Sequence, residues 1–238
     1  NEESTKKEIL ETMKDSIAHH MIADVPVGSF LSGGIDSSII ATLMGSKTKT
    51  FTVTFGNVSE GVEAKETAEP LGTDHKEITV GAKEYFEALP KAVWHFDEPV
   101  ADPSALGIYF LSREAAKEVK VVLSGEGADE LFGGYNIYLE PFARRWISWL
   151  PKWILKMLSK IPLRGRNYAE RGLMRLEGWY IGNASIFKPT EVKQLWQGVS
   201  KAAFDIGGLY NETKELSDST KMQYIDINTW LVGDILAK

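Results

Sequence analysis

Apolar positions recur with two different periods in this chain, and the period changes along it. Ile9, Leu10, Met13, Ile17 and Met21 fall at the three-and-four spacing of an amphipathic helix. Thr5-Lys6-Lys7-Glu8 ahead of them reads as a capping box, with Thr5 as N-cap and Glu8 reaching back. The run VPVGSFL (25–31) predicts a strand that ends in Ser32-Gly33-Gly34. A helix should start at about Asp36, run through SSIIATLM and close at Gly45. TFTVTF (50–55), β-branched and aromatic, predicts a second strand. Residues 63–71 read as a helix ended by Gly72, 75–80 as a third strand, and 83–96 and 106–119 as helices. Residues 120–123 give a fourth strand, again followed by Ser-Gly. Strands alternating with helices imply parallel βαβ units: an α/β fold with a doubly wound parallel sheet.

After Tyr135 the pattern changes. No strand is evident, and PFARRWISWLPKWILKMLSKIPLRGR reads as short helices broken at Pro151 and Pro162. The expected organisation is an α/β domain over 1–135 and a helical region over 136–238. The chain opens NEESTKKE, without a signal-peptide pattern, and ends GDILAK in mid-pattern. The expectation is therefore a piece of a longer protein whose helical region is truncated. The strand-Ser-Gly-acid-helix units at 32 and 124 are a local echo, not a solenoid repeat.

Composition removes several classes of function. With 33 acids against 27 Lys and Arg, the net charge of -6 is a poor basis for neutralising nucleic-acid phosphates. No apolar run approaches the roughly 18 residues that span a bilayer. No cysteine is present, so neither a disulfide nor a thiolate nucleophile is available, and the cytoplasm is the default compartment. One stretch runs against the overall charge: from Pro141 to Arg175 there are nine Lys or Arg and one acid, with Trp146, Trp149 and Trp153 at helical spacing. A membrane-surface or nucleic-acid patch would look like this, but a tryptophan stripe is more often core or partner interface, and neither membrane nor nucleic acid is expected as a partner. His19 and His20 have no supporting cluster and read as helix residues.

The candidate chemistry lies in Ser32-Gly33-Gly34-Ile35-Asp36-Ser37-Ser38, between a strand and a helix. Glycines let a backbone approach a ligand, and the first turn of a helix points N–H groups at an anion. Ser32, Ser37 and Ser38 add hydroxyls. No lysine follows the glycines, so this is not a Walker A loop. Asp36 is the misfit: a carboxylate beside phosphates is repulsive unless a cation lies between them, which points to Mg²⁺. The alternative is a plain helix cap.

SGGIDSS resembles the PP-loop of the N-type ATP pyrophosphatases, which cleave ATP between the α- and β-phosphates. LSGEGADELFGGY (123–135) is similar to the longer signature of the asparagine synthetase family. DVPVG before the loop, DEP-x-ADPSA at 97–105 and W-L-x-x-D-x-L-x-K at the C-terminus agree, so the likeness covers nearly the whole chain.

The resemblance implies a fold of the adenine-nucleotide alpha-hydrolase type and an AMP-forming amide ligase with ATP and Mg²⁺. In such an enzyme the side-chain carboxylate of aspartate is adenylated, and ammonia then displaces AMP. It implies that Asp36 and Asp129 hold the metal, that Leu31 and Val53 bind the nucleoside, and that Ser124 and Gly125 contact the nucleotide. Glu126 matches an acid needed at the acyl-adenylate, and Lys238 a lysine that meets the phosphates. Asp102 and Ser104 lie where the amino-acid substrate is met. Each has a plainer reading: Leu31 and Val53 as core, Asp129 and Glu126 as acids favoured at a helix start, Asp102 as a Pro-flanked turn, Lys238 as a frayed end. The ammonia would come from a glutaminase domain that this chain lacks, or be free. β-Lactam synthetases, lasso-peptide cyclases and sugar amidotransferases share the motifs with other acceptors, and a tRNA-modifying PP-loop enzyme is a more distant alternative. A homodimer stays open.

Overall fold

A computed structural model of the chain describes residues 1–56, 60–97, 102–147, 149–161, 165–183, 185, 187, 191, 194–196 and 206–238. Glu98, Pro99 and Pro162, used in the sequence reading, lie outside the described residues. The chain divides into two compact units: Asn1–Glu126 with Lys238, and Gly127–Ala237.

Unit 1 opens with α1 (Glu2–His20). Its cap is Asn1, whose side-chain oxygen accepts from the Glu3 amide at 3.0 Å. Thr5 is therefore not the cap that the sequence suggested: it sits inside the helix, its hydroxyl donating to the Asn1 carbonyl at 3.3 Å. The carboxamide of Asn1 takes the role one turn earlier. His19 and His20 lie in the last turn, their rings donating to the Asp15 and Ser16 carbonyls.

The sheet comprises β1 (Val27–Phe30), β2 (Lys49–Phe55), β3 (Asp74–Val80) and β4 (Val121–Leu123), all parallel, in the order β3-β2-β1-β4. β1 starts at Val27 rather than Val25, because Pro26 has no N–H to give to a ladder; its carbonyl instead accepts from Lys120 at 3.1 Å. The crossovers are α2 (Ile35–Met44), α3 (Glu60–Leu71), then α4 (Ala82–Phe96) and α5 (Ser104–Ala115). Strand β2 shows why both faces are covered. Phe51, Val53 and Phe55 enter a core with Ile78, Val80, Phe110 and Leu111 from β3 and α5. The alternate residues Thr50, Thr52 and Thr54 are buried on the opposite face, where Leu31, Ala41, Ala64 and Ala68 form a second cluster from α2 and α3. The chain winds from β1 out to β3, then returns to the far side of β1 for β4. The direction of winding therefore reverses between β1 and β4, and in open α/β sheets ligands bind beyond the strand ends at such a point.

Unit 2 is helical. It contains α6 (Ala128–Phe132), a 3-10 turn (Asn136–Leu139), α7 (Glu140–Arg145), α8 (Lys152–Leu158) and α9 (Arg166–Gly172). Then come a second 3-10 turn (Leu176–Gly178), α10 (Ile206–Glu212), α11 (Asp218–Asp226) and a π-helical stretch (Ile227–Ile235). Its core gathers Tyr138, Leu176, Tyr180, Tyr210, Met222 and Ile225. The fully buried Asp226 accepts from the hydroxyls of Tyr138 (2.6 Å) and Tyr180 and from the Asn183 amide (2.7 Å). Glu140, 4% exposed, is paired with Arg171, and Arg171 and Arg144 stack over Trp179 at 4.5 and 5.5 Å. Trp146, Trp149 and Trp153, read from sequence as core or interface, are 80%, 76% and 67% exposed, so they take no part in this core. Among the described residues no helix is long and apolar enough to cross a membrane.

Candidate active site

Both Ser-Gly segments of unit 1 lie at the reversal of winding, one after β1 and the other after β4. The strands beneath them are braced. The buried Ser29 hydroxyl donates to the Leu123 carbonyl at 3.2 Å, tying β1 to β4 where the two loops begin. The Leu31 amide donates to the Phe51 carbonyl at 2.9 Å, and the Leu31 carbonyl accepts from the Thr52 hydroxyl. Leu31 itself is 2% exposed and packed in the α2/α3 cluster, and Val53 is half-buried against the other core. Any contact these two make with a nucleoside must therefore come from backbone or from the exposed margin of Val53.

The loop 32–38 is held mostly by its own hydroxyls. Ser37, buried, accepts from the Ser32 amide at 3.2 Å, lies 3.1 Å from the Ser32 hydroxyl and donates to the Gly34 carbonyl at 3.2 Å. The Ser38 hydroxyl donates to the same carbonyl at 2.6 Å. Ser37 and Ser38 thus shape the loop from within, while Ser32 and Asp36 are exposed. The two glycines differ. Gly33 has φ +75°, and a β-carbon there would come within 2.8 Å of Glu63 Cβ and 2.9 Å of the Ala64 amide, so its bareness serves the packing of α3. Gly34, the N-cap of α2, is exposed, and a β-carbon there would meet only the Ser32 hydroxyl, at 3.3 Å. The open side of the loop is at Gly34.

The second segment touches the first. A β-carbon on Gly125 would lie 3.0 Å from Asp36 Cβ and 3.1 Å from the Ser37 amide nitrogen. The glycine therefore lets 124–126 rest directly on the first turn of α2, with Ser124 and Glu126 exposed on either side. No group of three or more His, Cys, Asp or Glu able to cage a metal occurs among the described residues. Mg²⁺ does not need one: it keeps several waters and is commonly held by one or two carboxylates together with substrate phosphates. An exposed carboxylate in the first turn of α2 fits that mode.

The structure also brings Asp102, Ser104 and Lys238 together. Asp102 accepts from the Ser104 amide (2.9 Å) and hydroxyl (2.8 Å), and the Lys238 ammonium donates to Asp102 and, at 2.8 Å, to Ser104. Burial pushes the Asp102 carboxyl up, but the Lys238 and Ser104 hydrogen bonds and the lysine's charge outweigh it and hold the group below the ordinary carboxylate range. These bonds make α5 begin at Ser104, two residues before the helix pattern in the sequence.

Asp129, in unit 2, lies in the first turn of α6. Its carbonyl accepts from Gly133 and Gly134 at 2.8 and 2.9 Å, and a β-carbon on Gly134 would fall 1.9 Å from the Asp129 carboxylate. The bare Cα of Gly134 therefore makes room for this side chain. Next to it, Glu130 is 1% exposed and accepts from the Tyr135 hydroxyl at 2.9 Å. Ser29, Thr52, Glu130 and Asp226 were missed by sequence reasoning. The first two look like ordinary strand alternation, and the acids look like solvated helix positions.

Unit 1 is thus an α/β domain with a doubly wound parallel sheet, in which two Ser-Gly loops meet at the switch point and the first opens a helix with an acid. The family model for asparagine synthase matches residues 8–238, and the chain belongs to the asparagine synthase family. Asparagine synthetase [glutamine-hydrolyzing] 1 of Bacillus subtilis is 45% identical over 257 residues, covering 100% of this chain and 40% of that protein. A Mycobacterium tuberculosis protein named as a glutamine-hydrolyzing asparagine synthetase is 42% identical, covering 100% and 39%. Asparagine synthetase B [glutamine-hydrolyzing] of Escherichia coli is 33% identical, covering 55% and 27%. The chain thus spans about 40% of the length of the curated relatives that match all of it.

Proposed function

We propose that the chain carries out the ATP-consuming half of amide formation. The side-chain carboxylate of aspartate attacks the α-phosphorus of ATP, the bond to the β-phosphate oxygen breaks, and pyrophosphate leaves. The lone pair of ammonia then attacks the acyl carbon, AMP departs with the bonding electrons, and the nitrogen loses a proton to solvent. The contact of Gly125 with the Asp36–Ser37 turn carries this reading, because it gathers both Ser-Gly loops over one end of the sheet. Asp36 would hold Mg²⁺, which supplies charge neutralisation to the phosphates when bound. Gly34 and Ser32 offer the open side of the loop to the nucleotide, Leu31 and Val53 its base, and Ser124 and Gly125 the other flank. Glu126, exposed beside that flank, would act at the acyl-adenylate. Lys238 supplies positive charge where negative charge spreads in phosphoryl transfer.

Ammonia comes from a glutaminase elsewhere or from solution, since a chain without cysteine cannot hydrolyse glutamine through a thiolate. The cytoplasm, where ATP and aspartate abound, is the compartment that suits this chemistry. The test is the nucleotide product formed with Mg-ATP, aspartate and ammonium. AMP, pyrophosphate and asparagine are expected, whereas ADP and phosphate would refute the mechanism. Asp36→Ala should lower aspartate-dependent ATP–pyrophosphate exchange by roughly 10³-fold with the fold retained. Other carboxylates in the same exchange assay test the acceptor.

A further inference from the structure

We propose that Asp102 and Ser104 are positioning residues for Lys238 rather than contacts for the amino-acid acceptor. The inference rests on the reading of Lys238 as the charge that meets the phosphates. Lysine is a point charge on a flexible four-carbon stem, so an unheld ammonium would spend much of its time out of place. Here the side chain is 4% exposed and its partner Asp102 is 19% exposed. The carboxylate is itself fixed before it meets the lysine. One oxygen accepts from the Ser104 amide, the other from the Ser104 hydroxyl, and the same hydroxyl accepts from the lysine at 2.8 Å. Ammonium, carboxylate and hydroxyl form a closed triangle in which the single hydroxyl proton and one hydroxyl lone pair are both used.

Two observations favour the lysine over the acceptor as the object of this socket. A carboxylate has about four lone-pair sites, and three of those on Asp102 are committed to Ser104 and Lys238. The triangle also stands on the helix that rests on the nucleoside strand: a β-carbon on Gly107, one turn into α5, would lie 3.7 Å from Val53 Cγ1 and 3.8 Å from Phe55. α5 thereby packs against the C-terminal part of β2, and Asp102, just before α5, ties the lysine to that helix. A charge fixed in this way stabilises a developing anion without rearranging during the reaction.

Asp102→Asn keeps an oxygen for the Ser104 amide and removes the charge that holds the ammonium. The variants Asp102→Asn, Lys238→Gln and their double are compared with the parent protein in carboxylate-dependent ATP–pyrophosphate exchange, with kcat and each KM separated. Asp102→Asn should lower kcat by roughly 10²-fold, the cost typical of misplacing a catalytic group by about 1 Å. KM for the carboxylate should stay within about twofold, and Asp102→Asn should add nothing in the Lys238→Gln background. A raised acceptor KM with kcat retained, or losses that multiply in the double variant, would overturn the proposal.

A second measurement needs no turnover: the rate at which acetic anhydride modifies Lys238, followed by mass spectrometry. It should rise several-fold in Asp102→Asn, and an unchanged rate counts against the socket. Should the parent protein show no exchange with any carboxylate, the functional reading fails, and the labelling rate alone decides whether Asp102 holds the lysine.

Discussion

The two units solve the problem of an interior in opposite ways. In unit 1 the principal core is Phe51, Ile78, Val80, Phe110 and Leu111, apolar throughout, and the buried polar side chains lie outside that cluster, chiefly on the threonine face of β2, at Ser29 of β1 and at Ser37 in the first turn of α2. In unit 2 two tyrosines donate to a carboxylate with no exposure at all, and a third, Tyr210, donates to the backbone carbonyl of one of them. An apolar core loses stability gradually as atoms are removed, because its neighbours partly relax. A buried polar network fails as a unit, because each lost partner strands a desolvated group. Unit 1 should therefore tolerate conservative change inside, and unit 2 should not.

The largest effect is expected at Asp226. Replacement by Ala leaves the hydroxyls of Tyr138 and Tyr180 and the Asn183 amide without their acceptor, at a cost of roughly 3–5 kcal/mol. Six of the seven tryptophans lie between residues 127 and 237, so intrinsic fluorescence during urea unfolding follows unit 2. A shift of less than about 1 kcal/mol would mean that water replaces the carboxylate and that the contrast between the cores is false. Phe110→Ala should cost a similar roughly 3–5 kcal/mol, but Phe110→Leu far less, whereas Asp226→Asn should still cost more than about 1 kcal/mol. Hydrogen exchange in β2 and α11 separates the two responses.

A smaller and more discriminating effect is the response to acid. Asp102, Glu114 and Glu118 are held below their ordinary values. In Asp102 and Glu114 the bonds to cations and hydroxyls overcome burial, and Glu118, bridging Lys49 and Lys76, is brought down to about 2. A lowered folded pKa gives stability that is present above the unfolded value and lost as pH falls through the folded one. Asp226 goes the other way. Burial raises it above its ordinary 3.8 despite the two tyrosine bonds and the Asn183 amide. Its contribution is greatest below that value and declines as pH rises through the folded pKa. Between pH 4.5 and 2, exchange protection should fall in the β-sheet relative to α11. Equal loss in both would remove the distinction.

The smallest effect belongs to the surface. Glu118→Gln breaks the bridge to Lys49 and Lys76, and the modest fall in melting temperature should vanish in high salt, as screening of an exposed pair requires. A fall that persists in salt would make the bridge part of the unit 1 core.

The same contrast explains what the sequence disclosed. Strands buried on both faces announce themselves by local β-branched runs, and a Ser-Gly turn marks the ends of β1 and β4, so the α/β layer and its two loops were readable from neighbours in the chain. The unit 2 core is assembled from Tyr138, Tyr180, Tyr210 and Asp226, whose spacings follow no helical or strand period, and Glu140 finds Arg171 across 31 residues. The errors in unit 1 were of another kind. Asn1 outcompeted Thr5 as cap, and Asp102 started α5 early, because short polar side chains bond to nearby backbone in ways that a hydrophobic pattern does not register.

Gly33 has a consequence for how such a sequence should be read for inheritance. Its missing side chain is demanded by Glu63 and Ala64 of α3, so a descendant that had abandoned nucleotides would still be obliged to keep it in order to fold. Gly34 is under no such obligation from the protein around it. In a lineage that drifted away from catalysis, Gly34 and Asp36 would be the first letters of the motif to change, while Gly33 would persist as a fossil of packing alone.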